Sequence, residues 1–425
     1  LKYIVIFGAG KSSSYLIEYL IQHLSANNWK LTVLDASEAA AKAKVGAAPN
    51  AQGKSVQVEN EPERKKWVQS ADIVISLLPP SLHSLIAIDC LHFRKDLLTA
   101  SYVDEKMDAL RDDILKSNIL FLCEMGLDPG IDHMSAMQLI HRLTDQGAGI
   151  TSFRSHCGGL VAPESDNNPW HYKISWNPRN VVLAGKAGAI FKENGLEKRV
   201  NYENLFNAEN RVSVPEVGEL SYYPNRDSLS YIDIYALHHA QTFVRTTLRY
   251  PEFCSGWKNI IDLQITNEEG LYDTDGMTLK DFFHLFAKKE ISDEQFRKQM
   301  LFLGHDDDKT IINKGKCSAA DVLQFVLEKK LILEPSDRDM IVMLHEIDYL
   351  VNNNPHTVKS SLVVKGENNI KTAMAKTVGL PLAIAAKLIL QGKIRTKGLH
   401  IPILPEIYEP VLKELQEHGI RFHES

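Results

Sequence analysis

The chain has 425 residues, 44% of them hydrophobic and 24% charged, and a formal net charge of −6. That length implies about two to four domains, and the acidic balance excludes a basic field for nucleic acid or an anionic membrane surface. No apolar run approaches the ~20 residues that cross a bilayer, and the five cysteines (90, 123, 157, 254 and 317), with no C-x-x-C pair, predict free thiols and a reducing, cytoplasmic location.

Tyr3–Gly8 is a short apolar run closed by glycine, the pattern of a buried parallel strand rather than of a signal segment. Ser12–Leu24 carries Leu16, Ile17, Leu20, Ile21 and Leu24 at helical spacing. Leu31–Asp35 reads as a second strand, Val56–Glu59 as a third and Arg64–Ser70 as a short helix. Asp72–Leu78 is an apolar strand ended by Pro79-Pro80. Helix Ser81–Phe93, strand Asp96–Ser101, helix Asp104–Ser117 and strand Ile119–Glu124 follow. Strand alternating with helix predicts an α/β fold with a doubly wound parallel sheet.

The rhythm then changes. A helix from about Asp132 to Gln146, with Asp132 as its N-cap, leads into strands, turns and aromatics from Ile150 to about Gln264, a mixed α+β region. Thr278–Ile347 reads as nearly all helical, with stops at Gly304 and Pro335. Strand Val358–Gly366 and helices Met374–Leu390 and Pro410–Glu417 end the chain, and this tail is expected to pack back on the first domain. The division expected is 1–130 with 371–425 for a dinucleotide, 131–277 with 348–370 for substrate, and 278–347 as a helical domain.

The turn Gly8-Ala9-Gly10-Lys11-Ser12-Ser13 follows the first strand. A G-x-G pair there permits a tight turn and brings backbone N–H groups to a pyrophosphate. Ser13 stands where a third small residue lets helix and strand pack closely. Asp35 ends the second strand, where a carboxylate accepts from a ribose diol and repels a 2′-phosphate. Strand, turn, helix, strand and acid in order point to a nicotinamide dinucleotide. Gly10-Lys11-Ser12 imitates the end of a P-loop, but the glycine that a P-loop requires upstream is Val5, inside the strand. Leu77-Leu78-Pro79-Pro80 either lines the cofactor groove or only stops a strand. Thr99-Ala100-Ser101-Tyr102 places hydroxyls where nicotinamide and substrate would meet.

Glu124–His133 is a rigid loop with two glycines and a proline. Asp128 there is either an acid/base or a turn former. Ser155-His156-Cys157-Gly158-Gly159 joins an imidazole to a thiol, although neighbours on a strand face opposite ways. No cluster with metal-ligand spacing is present. Arg226, Arg245 and Arg249 suit an anionic substrate, with surface salt bridges as the alternative.

Together these segments resemble the saccharopine reductase family, the glutamate-forming saccharopine dehydrogenases. The match runs through Gly8-Ala9-Gly10, Glu124–His133, Cys157–Glu164, Asn168-Pro169, Tyr172–Trp176, Tyr223–Asp227, Thr247–Tyr250 and Ala373–Gly379. The resemblance implies a variant Rossmann domain completed by the C-terminal segment, a mixed α+β substrate domain and a helical domain. It implies NAD(P)-dependent oxidation of a secondary amine, interconverting saccharopine with aminoadipate semialdehyde and glutamate through an imine. It assigns Asp128, Tyr102 and Cys157 to the reacting nitrogen and water. Substrate contacts would come from Ser101, Tyr102, Asp128, Lys173, Arg226, Thr247 and Arg249. Cofactor contacts would come from Gly8, Gly10, Lys11, Ser12, Ser13, Asp35, Leu77, Leu78, Pro79, Thr99, Ser101 and Leu127. A homodimer is the expected assembly, with no metal and no nucleic-acid or membrane partner. The chain departs from the family at Lys11-Ser12-Ser13-Ser14, at His156, at Trp170-His171, and at Leu34-Asp35-Ala36, where NADP-using relatives tend to carry arginine; the last favours NAD. The rivals are a carboxynorspermidine-type dehydrogenase, whose substrate would need acids where this chain has arginines, and a non-catalytic dinucleotide sensor.

Overall fold

The computed structural model describes residues 1–287 and 291–425. Contacts divide them into two units, Leu1–Gln146 with Ile370–Phe422, and Gly147–Asn369 with His423–Ser425. Where the sequence divides the chain in three, its contacts divide it in two.

The first unit is built on β1 (Lys2–Phe7), β2 (Trp29–Asp35), β3 (Ala51–Ser55), β4 (Ile73–Ser76), β5 (Asp96–Thr99) and β6 (Leu120–Leu122). A strand from the far end of the chain, Gly398–His400, pairs with β6 and completes a parallel sheet of order Gly398–His400, β6, β5, β4, β1, β2, β3. The C-terminal completion of the sheet is as expected. Strand order reverses between β1 and β4, and a ligand crevice opens at the carboxyl ends of strands flanking such a switch. Those ends here carry the glycine turn and Leu77–Pro79.

The third strand lies at Ala51–Ser55, not at Val56–Glu59. It is an edge strand and only Gly53 in it is buried. A Cβ at Gly53 would run into the backbone of Ala41. Val56 and Val58 fill the core from the turn beyond. The helix expected over Asp104–Ser117 is two short ones, Glu105–Asp108 and Arg111–Lys116.

Helix Ile131–Asp145 belongs to the first unit, which therefore reaches Gln146 rather than 130. It packs on Pro405–Glu417, and His141 Nδ1 lies 2.8 Å from Tyr408 Oη. Helix Ala373–Leu390 has a mean hydropathy of 1.6 and is mostly buried, which explains a composition apolar enough for a bilayer. It crosses helix Ser14–Asn27 closely. A Cβ at Gly379 would lie 2.9 Å from Leu16 N and 3.1 Å from Ser12 O. Those neighbours are backbone and cannot swing aside. Gly379→Val should therefore cost about 1–3 kcal/mol by overpacking, read as a lower urea midpoint at unchanged slope.

The second unit is organised around β7 (Gly149–Val161) in a mixed sheet. Thr242–Arg249 runs parallel to β7 on one side, and Asp339–Val351 antiparallel on the other. Asn354–Lys365 pairs antiparallel beyond. The expected helical reading of 278–347 thus fails over its last residues. Asp339–His345 is buried throughout, and a strand covered on both faces shows no alternation to separate it from a helix. Helices Leu279–Phe286, Glu294–Leu303 and Ala319–Lys330 are as expected in type, but they share one core with Trp170, Tyr172, Phe253 and Trp257.

Candidate active site

The phosphate turn is shaped by contacts that only glycine tolerates. Gly8 has φ +109°, and a Cβ there would sit 2.9 Å from Leu77 O. Gly8 N donates to Leu34 O at 2.7 Å, and Leu77 N to Phe7 O at 2.8 Å, so the turn is locked between β2 and β4. At Gly10 the opposite holds: nothing lies within 4 Å of an added Cβ. Gly10 caps a short 3-10 turn, Lys11–Ser13, that leads into helix Ser14–Asn27. The first N–H groups of a helix have no intrahelical acceptor, and here they border that open space. The cradle fits a pyrophosphate. Ser13 faces inward instead. It is fully buried, and its Oγ donates to Gly10 O at 2.8 Å, so it braces the turn. Lys11 is exposed. Asp35 accepts from Ala9 N at 2.8 Å and from Ser37 N at 2.9 Å. A carboxylate has about four lone-pair sites, so two remain for a ribose diol.

The loops after β5 and β6 are tied to each other. Met125 N donates to Thr99 O and Glu124 N to Ser101 O, each at 3.0 Å. Glu124, in the left-handed region at φ +55°, accepts from Val103 N at 3.1 Å and lies 2.7 Å from His133 Nε2. Gly130 has φ +146°, and a Cβ there would strike the Gly126 backbone. Gly130 N donates to Asp132 Oδ1 at 2.6 Å, so Asp132 clamps the loop rather than capping the helix from outside. The peptide between Asp128 and Pro129 is cis. Within 119–137 Asp128 is the one residue not buried. The loop encloses everything except this carboxylate. Tyr102 Oη donates to its Oδ1 at 3.3 Å, so the two residues assigned to the reacting nitrogen are brought together. Leu127 is buried and Pro79 exposed, with Leu77 and Leu78 between these limits.

Residue His83 was not singled out by sequence. It is 5% exposed, with Nδ1 2.8 Å from Ser76 Oγ and Nε2 2.8 Å from Ser101 Oγ. Thr99 Oγ1 lies 3.4 Å from the same Nε2 and accepts from Ser101 N at 3.2 Å. Burial pushes the His83 pKa down to about 4, against a smaller upward pull from Asp104.

In the second unit, Cys157, Thr247 and Tyr223 stand abreast on three adjacent strands. Burial raises the Tyr223 pKa, with Arg249 and a hydrogen bond from Thr247 opposing. Two residues along the same strand, Arg249 stands opposite Ser221. It is 4% exposed. Its Nη1 donates to Leu248 O at 2.8 Å and to Gly159 O at 3.4 Å. Its Nε has no partner, and among the described residues no carboxylate pairs with it. The guanidinium lies 5.3 Å from the Tyr172 ring and 5.6 Å from Phe253. Burial lowers its pKa, but Tyr223, Tyr172, Cys254 and Cys157 together raise it further, so it stays charged.

The other expected basic residues differ. Lys173 is buried against Asp337 at 2.5 Å, so its charge is already matched within the chain. Arg226 is exposed, at φ +50°, in the short strand Arg226–Asp227. Arg245 is buried with its guanidinium 4.5 Å from the Tyr231 ring. His156 points to the face opposite Cys157. Its Nδ1 lies 2.7 Å from Thr246 Oγ1 and its Nε2 3.3 Å from Glu346. His156 and Cys157 therefore do not form a nucleophile pair. Among the described residues no group of His, Cys, Asp and Glu is arranged to hold a metal.

Two family models cover most of the chain. Residues 4–122 match the saccharopine dehydrogenase NADP binding domain, and residues 126–420 the saccharopine dehydrogenase C-terminal domain. The chain belongs to the saccharopine dehydrogenase family. Within it, the chain is 32% identical to the Saccharomyces cerevisiae saccharopine dehydrogenase [NADP(+), L-glutamate-forming], over 100% of this chain and 99% of that protein. It is 34% identical to the rat mitochondrial alpha-aminoadipic semialdehyde synthase and 32% to the Arabidopsis thaliana alpha-aminoadipic semialdehyde synthase. It spans about half the length of these two relatives, 47% and 44%. The solved apo saccharopine dehydrogenase (L-Glu forming) of S. cerevisiae superposes with a TM-score of 0.90 at 29% identity, over 100% of this chain and 99% of that one. The variant Rossmann sheet and the mixed second sheet are thus the family's fold, and the first unit is a nicotinamide-dinucleotide-binding domain.

Proposed function

We propose that the chain oxidises the secondary-amine C–N bond of saccharopine, releasing aminoadipate semialdehyde and glutamate. The observation that carries this is Arg249, a buried cation with an unbonded Nε and, among the described residues, no carboxylate paired with it. An uncompensated buried charge costs several kcal/mol, and a carboxylate from a ligand offsets that cost through charge-assisted bonds. A carboxynorspermidine-type substrate has fewer carboxylates and more ammonium groups, so two arginines, Arg249 and Arg226, favour saccharopine over it. A sensor without chemistry would have no use for a partly exposed carboxylate, met by a tyrosine hydroxyl, in an otherwise buried loop.

When bound, a nicotinamide dinucleotide supplies the hydride acceptor. The turn at Gly8–Ser12 would hold its pyrophosphate and Asp35 its ribose. The residues of the chain do the rest. Arg249, with Arg226 at a second carboxylate, fixes the substrate. Asp128 takes the proton that leaves the amine nitrogen as the C–N bond is oxidised, and Tyr102 orients that carboxylate. Water then adds to the imine carbon, and the C–N bond breaks to leave aldehyde and free amine. In balance, saccharopine, the oxidised dinucleotide and water give glutamate, the semialdehyde, the reduced dinucleotide and a proton.

Purified protein should reduce a nicotinamide dinucleotide only when saccharopine is added, seen as growth of the reduced cofactor's absorbance. Folded protein without turnover on either cofactor would overturn the reading. The finer expectation is a preference for NAD. Asp35, with Glu38 at the start of the next helix, puts negative charge where a 2′-phosphate would sit, and the nearby Lys42 is committed to Glu38 at 2.8 Å. kcat/KM should be higher with NAD than with NADP. The reverse order would remove the specificity role from Asp35.

A further inference from the structure

We propose that His83 is a positioning residue that sets the hydroxyl of Ser101 for the nicotinamide end of the dinucleotide; this rests on the reading of the first unit as the cofactor domain. The glycine turn ends β1, and β4 and β5 are the next two strands along the sheet. At ~4.8 Å per strand, the end of β5 lies roughly 10 Å from the pyrophosphate cradle. An extended dinucleotide reaches its nicotinamide across that distance. Ser101 is the partly exposed hydroxyl at that end, whereas Thr99 is buried.

The imidazole bridges two hydroxyls. Ser76 Oγ is 2.8 Å from Nδ1 and is buried at the end of β4; Ser101 Oγ is 2.8 Å from Nε2. A neutral imidazole has one donor and one acceptor nitrogen. If Nε2 carries the proton, the Ser101 hydroxyl keeps its own proton to donate to a ligand; if Nδ1 carries it, Ser101 donates to Nε2 and can only accept from a ligand. The chain of groups ends at buried Ser76, so it does not export a proton. Its remaining work is orientation, extended by Thr99, which holds Ser101 N at 3.2 Å. The same loop carries Tyr102, whose hydroxyl meets Asp128. A displacement of about 1 Å at such a point costs up to ~10²-fold in rate.

The test separates the two ring nitrogens. Glutamine reaches the Nε2 position and can still meet Ser101; asparagine reaches only the Nδ1 position and meets Ser76. H83N should lower kcat/KM about 10–100-fold and weaken binding of the reduced dinucleotide, followed by its fluorescence, by a similar factor. H83Q should stay within about 3-fold of the parent. Ser101→Ala should reproduce the loss, and H83N combined with S101A should add little to it, since residues acting through one contact are not additive. Equal effects of H83N and H83Q, or full additivity with S101A, would overturn the proposal, as would an S101A variant that behaves like the parent. If H83N does not fold, H83Q and S101A decide. The binding measurement does not need saccharopine, so absent turnover with an intact binding pattern would remove the substrate reading and leave this one standing.

Discussion

Arg249→Met should raise the thermal midpoint and lower kcat/KM for saccharopine about 30- to 4,000-fold. Both halves follow from one fact: the guanidinium is buried with its Nε unbonded and with no carboxylate beside it among the described residues. Replacing buried charge by an apolar side chain of similar volume is often stabilising, by about 1–4 kcal/mol. Methionine is long and adaptable enough to fill the space beside Tyr172 and Phe253. The loss of a charge-assisted bond to a substrate carboxylate costs about 2–5 kcal/mol, and each ~1.4 kcal/mol is tenfold. A group that holds ground state and transition state alike acts on KM, so KM should rise with kcat little changed. Arg249→Lys keeps the charge and loses the fork, and should fall between the two. A lower midpoint with unchanged KM would make Arg249 structural.

Breaking the Arg64–Asp89 pair should destabilise the protein by about 3–5 kcal/mol. The side chains are 6% and 1% exposed, and Arg64 Nε meets Asp89 Oδ2 at 2.6 Å. Arg64 also donates through Nη1 to Val58 O at 2.6 Å. The pair therefore ties helix Glu61–Ser70 and the turn after β3 to helix Pro80–Phe93. Asp89→Ala strands the guanidinium in the core. Its urea midpoint should fall sharply, while kcat for the remaining folded protein is unchanged. The double change Arg64→Met with Asp89→Leu removes both charges and should recover most of the loss. A single variant within about 1 kcal/mol of the parent would sink the argument.

Much of the first unit was legible because its signals are local. Tyr3–Phe7, the glycine turn and Leu31–Asp35 lie within one short stretch and obey simple periodicities. The edge strand Ala51–Ser55 was not, because it is polar and pairs on one side only. Asp339–His345 failed for the opposite reason, being buried on both faces. For the candidate site, residue type alone singles out Asp128 and Arg249, and the structure leaves the first partly exposed and buries the second. Residue type says less where a partner decides. Lys173 reads as a carboxylate binder until Asp337, 164 residues away, neutralises it. His83 sits on an apolar helix, and nothing around it in the chain announces Ser76 or Ser101.

The strand Gly398–His400 has a consequence for how the molecule is made. Until it leaves the ribosome, the outer edge of β6 has no partner, and helix Ser14–Asn27 lacks the cover of Ala373–Leu390. At ~5–20 residues per second, the nascent first unit waits tens of seconds with an open strand edge and a bare apolar face. Open edges invite pairing with other chains. A fragment ending at residue 146 should therefore aggregate rather than bind a dinucleotide.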